Sequence, residues 1–298
     1  MRARSDLLIV LRPTGVAFLA SMLVLVTLGS SCQRAETPAT LRAMAYNIRF
    51  NNPGDSLHAW PNRRNDVAAL IRYHSPDVMG LQEALTGQVT ELDSLLHDYA
   101  WFGVGRDDGE AAGEYVPIFY RTGRLEPLDQ GHFWLSETPA VPGSVSWDAA
   151  ITRMVTWGHF RDRSTGQALY VFNTHFDHVG TEARLQSAQL LVDRLQEIAG
   201  GAPVVVTGDF NVTPSAPPYA TLTSVLTDTF NAAADGHHGP TGTFSGFTVN
   251  APVSARRIDY VFVQGPIEVQ RHAILSDHTD LGYPSDHLPV VADLRIGS

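Results

Sequence analysis

A chain of 298 residues with 44% apolar and 17% charged content has the composition of an ordinary soluble globule, sized for one large α/β domain or two small ones. Its formal net charge of −10 repels long polyanions unless a local basic patch or bound cations intervene, and no run of Lys or Arg is present. Arg2, Arg4 and Arg12 against Asp6 give residues 1–31 a charge of +2, so the remainder carries −12.

The first residues read as a targeting segment rather than as fold. Three arginines precede an apolar run from Val16 to Leu28, short for a spanning helix and right for the core of a signal peptide. The run ends in Leu28-Gly-Ser-Ser-Cys32, and Cys32 is the only cysteine. Small residues before a lone Cys resemble a bacterial lipoprotein cleavage site, with Gly29 where such sites carry Leu and Leu28 one place further back. The expectation is a signal peptide over 1–31, a lipidated Cys32, a polar tether over 32–40 and a domain over 41–298, its elements running from Leu41 to Ile296. A plain signal peptide or an uncleaved anchor is the alternative. One cysteine allows no intrachain disulfide, so the domain relies on its core.

In chain order, Leu41–Phe50 alternates as a strand, and Asn51–Asp55 is a loop by its turn residues. Val67, Leu70 and Ile71 have helical spacing within 65–74, closed by Pro76. Asp77–Glu83 is a strand ending in an acid, and 88–97 is a helix with Val89, Leu92, Leu95 and Leu96 on one side. A Gly/Asp/Glu-rich loop over 103–113 precedes a strand over 114–120. Residues 154–160 and 169–175 form a hairpin turning over 161–167, and 182–198 is the best amphipathic helix, stopped by Gly200-Gly201. Pro203-Val-Val-Val-Thr-Gly-Asp-Phe-Asn-Val-Thr-Pro214 is a buried strand with a tight turn. A strand over 256–263 and the closing stretch Tyr283–Leu294 complete the chain.

Polar residues recur where the apolar strands end: Asn47, Glu83, His175, Asp209, Asn211, Asp259, Asp286 and His287. If these strands share sheets, their ends converge. Asp209 and Asn211, two apart in extended chain, point the same way. Carboxylate and amide oxygens suit a hard cation such as Mg²⁺ or Mn²⁺, or a phosphate and its attacking water. A His backed by an Asp takes a proton near neutral pH. His287 therefore pairs either with Asp259 behind it or with Asp286, which otherwise helps hold metal; a turn after Pro284 is needed for Asp286 and His287 to reach one site. Arg153 offers a fork for phosphate oxygens. Each residue alone has a bland reading, such as Asp259 paired with Arg256 or Arg257; the ordered set at successive strand ends is what carries weight.

The set resembles the endonuclease/exonuclease/phosphatase superfamily, with its DNase I-like fold, through Tyr46-Asn-Ile48, Leu81-Gln-Glu83, Asn173-Thr-His175, Gly208-Asp-Phe-Asn211, Arg257-Ile-Asp259 and Ser285-Asp-His-Leu-Pro289. The resemblance implies a four-layer α/β/β/α sandwich, two packed mixed sheets flanked by helices, with the site at one end. It implies that Asn47, Glu83 and Asp286 serve a Mg²⁺ or Mn²⁺ site, with Glu83 the principal ligand. It also implies that His175 contacts the phosphate, that Asp209 and Asn211 orient water and phosphate, and that Asp259 orients His287. Phe133–Pro139 and Thr152–Trp157 are similar to the deadenylase/nocturnin-like branch, which puts Arg153 near phosphate.

The resulting expectation is an exported, metal-dependent phosphoesterase, a monomer acting on a small phosphoester. A nuclease acting on nucleic acid is the less favoured reading, because no basic groove is visible. A non-catalytic binding lipoprotein is the third. Trp60 and Trp147 are expected on loops near the site, either stacking on substrate or packing loop bases.

Overall fold

Alternation along Leu41-Arg-Ala-Met-Ala-Tyr-Asn47 dictates a strand buried on both faces, with Ala43 and Ala45 entering one apolar cluster and Met44 and Tyr46 another. The computed structural model describes residues 9–12, 40–249 and 256–297. The chain separates into two units, Met1–Thr37 and Pro38–Ser298. Of the first, residues 9–12 are exposed chain without regular structure; the signal segment's apolar run and Cys32 lie outside the described residues. Among the described residues no helix is long and apolar enough to cross a membrane.

The second unit runs β1 (Leu41–Asn47), α1 (Trp60–His74), β2 (Val78–Gln82), α2 (Thr86–Leu95), β3 (Tyr99–Phe102), β4 (Ile118–Arg121), β5 (Leu125–Trp134), β6 (Met154–Asp162), β7 (Ala168–His175), α3 (Thr181–Ala199), β8 (Val204–Asp209), α4 (Pro217–Thr223), β9 (Thr227–Asp228), α5 (Thr229–Ala232), β10 (His237–His238), β11 (Asp259–Gln264), β12 (Ile267–Ile274) and β13 (Val290–Ile296). One sheet has the order β10-β12-β13-β1-β2-β4-β3 and the other β5-β6-β7-β8-β11-β9. Both mix parallel and antiparallel pairs.

Three apolar clusters define the layers. Ala43, Ala45, Val78 and Ile118 of the first sheet meet Phe160, Val171, Val205 and Val261 of the second between the sheets. Met44, Met79 and Leu81 pack outward against Val67, Ile71, Val89 and Leu92 of α1 and α2. Phe172, Val204, Val206 and Phe262 pack outward against Ala188, Leu191, Leu195 and Leu222 of α3 and α4. The result is the helix–sheet–sheet–helix sandwich of the DNase I-like fold, as the motifs implied.

Topology sends the polar strand ends to one place. β1–α1–β2 and β7–α3–β8 are crossover units, so β1 pairs with β2 and β7 with β8 in parallel. Their carboxyl ends therefore share one end of each sheet. Register sharpens this: His175 stands opposite Asp209, and Asp209 opposite Asp259 at the start of antiparallel β11.

A buried amide ties the two sheets beneath those ends. Asn173 of β7 is fully buried; its Nδ2 donates to Leu81 O at 2.7 Å and Pro117 O at 3.0 Å. Its Oδ1 accepts from Gln82 Nε2 at 2.7 Å and Thr207 Oγ1 at 3.2 Å. Gly80 makes the close approach feasible, since a Cβ there would fall 2.1 Å from Thr207 Oγ1 and 2.3 Å from Asn173 Oδ1.

The expected α1 start at residue 65 is corrected: the helix opens at Trp60, with Pro61 in its first turn. Strands β3, β5 and β12 were not foreseen. β5 carries Pro127 and four exposed residues, with a register shift between Pro127 and Asp129, and β12 shifts between Val269 and Arg271, so neither keeps a clean period of two.

Asn173→Ala removes four buried hydrogen bonds, while Gln82 Nε2, Thr207 Oγ1 and Pro117 O each keep a second partner. It is expected to lower unfolding stability by about 3 kcal/mol, read from urea denaturation; a loss below about 0.5 kcal/mol would show that the inter-sheet amide is dispensable.

Candidate active site

The polar ends assemble into one cluster between the sheets. Asn47 Nδ2 donates to Glu83 Oε1 and to Asp209 Oδ2, both at 3.0 Å, and Asn47 Oδ1 accepts from Arg49 N at 3.0 Å. Asp209 Oδ1 accepts from Asn211 N at 2.9 Å, an Asx turn that holds the carboxylate. Its Oδ2 lies 3.5 Å from His175 Nε2 and 3.8 Å from His287 Nε2. His287 Nδ1 meets Asp259 Oδ2 at 2.8 Å.

Backbone bends deliver these groups. Glu83 (φ 62°), Asn211 (φ 51°) and Arg49 (φ 57°) are left-handed, which costs about 1–3 kcal/mol each and is concentrated at functional sites. The bend at Glu83 turns its carboxylate toward β1 and away from the alternation of β2. Asp286 and His287 arrive through a bend over 284–286. Ser285 anchors it by donating to Asn47 O at 2.7 Å.

Arg63, which the sequence reading passed over, clamps both loops. It is 3% exposed and donates to His58 O and Arg49 O, both at 2.7 Å, to Pro284 O at 3.1 Å and to Ile48 O at short range. Four carbonyls matched to one planar fork is work a lysine does not do. The only sequence signal is its spacing three residues after Trp60, on the helix face that carries Trp60 inward.

Electrostatics divide the roles. Burial would lower His287, but the charges of Asp259 and Asp209 and the hydrogen bond to Asp259 hold it well above the usual imidazole range. Burial and the charge of Asp259 push Asp209 up to about 7. Burial, with Arg153 and Arg106 nearby, drives His175 well below its usual range. Neutral His175 is consistent with Nε2 accepting from Asn211 Nδ2 at 3.1 Å, an amide whose orientation is set by its second bond, to Phe176 O. Burial, then the charge of Glu83, raises Asp286 against the lowering pull of His287.

The donor set fits a hard divalent cation. Ligand atoms of Glu83, His175 and Asp209 lie within 4.8 Å of one another, as do those of Asp209, Asp259 and His287. Oxygens of Glu83 and Asp209 are the donors such an ion prefers; Asn47 adds its own oxygen when the amide turns over, since here Nδ2 faces both carboxylates. Among the described residues the only ion-pair partner of Glu83 and of Asp286 is Arg49, a loose 3.9 Å from each, so their negative charge is weakly met. Asp286 belongs to neither ligand set; the structure places it beside them, across Arg49.

A cavity of about 510 Å³ opens on this cluster, lined by Glu83, His175, Asp209, Asn211, Asp286, His287 and Arg153. Arg49, Phe50, Glu114, His178, Phe244 and Arg256, not singled out from sequence, line it as well. The expected tryptophans do not. Trp60 is 2% exposed in α1 and donates to Glu91 Oε2 at 2.6 Å, and Trp147 is absent from the lining. The bland pairing of Asp259 with its neighbouring arginines is also replaced: Arg257 binds Asp228 at 2.6 Å.

Comparison with known proteins agrees with this geometry. Residues 44–287 match the model of the Endonuclease/Exonuclease/phosphatase family. A solved structure of such a protein from Bacteroides vulgatus is 42% identical, with a TM-score of 0.83 over 87% of this chain and 100% of that one. A mannosyl-6-phosphatase from Bacteroides thetaiotaomicron is 38% identical, with a TM-score of 0.82 over 85% of this chain and 99% of that one. Two curated proteins of Acanthamoeba polyphaga mimivirus match at 26% and 25% identity over 54% and 76% of this chain, and the chain spans 63% and 39% of their lengths. With these strand-end residues gathered at one cavity of a DNase I-like sandwich, and the family match running through all of them, the chain belongs to the endonuclease/exonuclease/phosphatase family of hydrolases.

Proposed function

We propose that the protein is an exported, divalent-metal-dependent phosphoesterase that hydrolyses a small phosphoester. The observation that carries this is the meeting, in one cavity, of an acid held up to about 7, Asp209, with the His287–Asp259 pair and the carboxylate of Glu83. The name of the 38% identical neighbour, a mannosyl-6-phosphatase, supports a small substrate.

The residues divide the work as follows. Asp209, fixed by Asn47 and Asn211, is placed to accept the proton of an attacking water near neutral pH. His287, kept protonated against Asp259, donates to a phosphate oxygen and steadies the charge that builds there. This reverses the sequence expectation that His287 takes the proton, because two carboxylates face it. Asn211 and neutral His175 orient the phosphate when it takes over the Asn211 Nδ2 hydrogen that His175 accepts in its absence. Glu83 and Asn47 would hold Mg²⁺ or Mn²⁺, with Asp286 alongside; the ion would supply charge neutralisation on the phosphoryl group.

The nuclease reading is disfavoured by the −12 carried beyond residue 31, which opposes a long polyanion. The cavity's own cations, Arg49, Arg153 and Arg256, are local and suit one phosphate. We also propose a monomer attached to a bacterial envelope through lipidated Cys32. Mass spectrometry of the mature N-terminus tests this: a diacylglyceryl-cysteine is expected, and an unmodified terminus contradicts it.

Chelator is expected to abolish hydrolysis, and Mn²⁺ to restore it. Glu83→Gln removes the charge at constant size, so the half-saturating Mn²⁺ concentration should rise. Asp209→Asn and His287→Ala should each cost ~10²-fold or more in kcat with the fold retained by circular dichroism. Turnover undiminished by chelator rejects the metal; near-normal kcat in a folded variant removes that residue from the chemistry. At equal phosphate concentration, small phosphoesters should be cleaved faster than duplex DNA. Efficient DNA cleavage that falls steeply with salt would favour the nuclease.

A further inference from the structure

Arg153 lines the cavity and carries donors that no described residue uses. The residue is 4% exposed, yet among the described residues Nε and Nη1 find no hydrogen-bond partner. Neither nearby acid is free to supply one. Asp177 stands 3.7 Å from Nε, with Oδ1 taken by the backbone N–H groups of Val179 and Gly180 and Oδ2 by that of Ala150. Both oxygens of Glu114 hold Arg106, at 2.7 and 3.1 Å. A guanidinium deprived of water and of partners is a costly state that an anion with strong acceptor oxygens relieves.

The third nitrogen of Arg153 prepares a second donor. Nη2 lies 3.1 Å from His178 Nδ1. Arginine carries no acceptor, so His178 Nδ1 accepts and the proton of the neutral ring sits on Nε2. His178 is exposed and lines the same cavity as Arg153. Arg153, His175 and Glu114 also line a second, small recess of about 10 Å³, walled further by Arg106, Tyr115, Val116 and Met154. That is room for about one water, and an ester substituent does not fit. The cavity reaches exposed surface at Arg256, on the side of Phe244.

We infer that the substrate is a phosphomonoester whose terminal oxygens are received by Arg153 Nε and Nη1 and by His178 Nε2, its single ester arm leaving past Phe244 and Arg256. This rests on the phosphoesterase reading and adds the substrate class and a specificity residue, His178. A diester has one terminal oxygen fewer to offer, so in the same seat it keeps the Arg153 contacts only by giving up His178 Nε2.

The test is a calorimetric titration of the full chain with inorganic phosphate and with dimethyl phosphate, beside turnover of 4-nitrophenyl phosphate and bis(4-nitrophenyl) phosphate with Mn²⁺. Phosphate should bind at least 10-fold more tightly than dimethyl phosphate, and the monoester should have the higher kcat/KM. His178→Ala, at an exposed site where folding is not at stake, should raise KM for the monoester about 10-fold and leave the diester within 2-fold; Arg153→Lys should lose most of the phosphate preference. Equal binding of the two anions, or an equal loss on both esters in His178→Ala, overturns the monoester inference while any metal-dependent turnover still upholds the phosphoesterase. Tight, His178-dependent phosphate binding without turnover of either ester upholds the anion seat and rejects the phosphoesterase.

Discussion

The active end depends on a buried amide that joins two sheets. Asn173 binds Leu81 O, Pro117 O and Gln82 of one sheet and Thr207 of the other. All of these attachments but Pro117 lie within two residues of a functional group: Asn173 before His175, Thr207 before Asp209, and Leu81 and Gln82 before Glu83. Apolar contact alone would let packed sheets slide, because it is non-directional. Directed hydrogen bonds with no water to replace them do not tolerate sliding. The amide thus sets the distance between Glu83 on one sheet and the His175–Asp209 pair on the other.

Above that tie, the loops are held by groups that the core does not supply. Arg63 gathers the carbonyls of Ile48, Arg49, His58 and Pro284, so the segment after Asn47 and the segment before Asp286 move as one. Ser285 adds a direct link to Asn47 O. The left-handed bends at Arg49, Glu83 and Asn211 persist because these contacts over-determine them. Glu83 and Asp286 are then poised with only a loose ion pair each, to Arg49, which favours recruiting a cation and an anionic substrate together.

Much of this was legible along the chain. Val-Val-Val-Thr-Gly-Asp and Val-Phe-Asn-Thr-His announce strand and strand end, and the crossover rule brings such ends together. Asn47, Glu83, His175, Asp209, Asn211, Asp259 and His287 accordingly share a cluster, with Asp286 and Arg153 at its edges. What a linear pattern does not carry is partnership across sheets. Asn173 reads as part of Asn-Thr-His, and its bonds to residues some 90 positions earlier have no local mark. Arg63 reads as one more helical cation. Trp60 reads as a loop aromatic because Pro61 suggests a break, whereas proline in a first turn starts the helix that buries it. The role of His287 turned on having both Asp209 and Asp259 beside it, which depends on the β8–β11 register.

The central claim is that Glu83 and Asn47, with Asp286 alongside, form a cation site that seats a phosphate against Asp209 and the His287–Asp259 pair. Anomalous diffraction from crystals soaked in Mn²⁺ and inorganic phosphate tests it most directly. A manganese peak is expected about 2.0–2.3 Å from the Glu83 carboxylate, with phosphate density between it and Arg153. Manganese bound away from Glu83, or a cavity that takes up neither ion at saturating concentration, would contradict it.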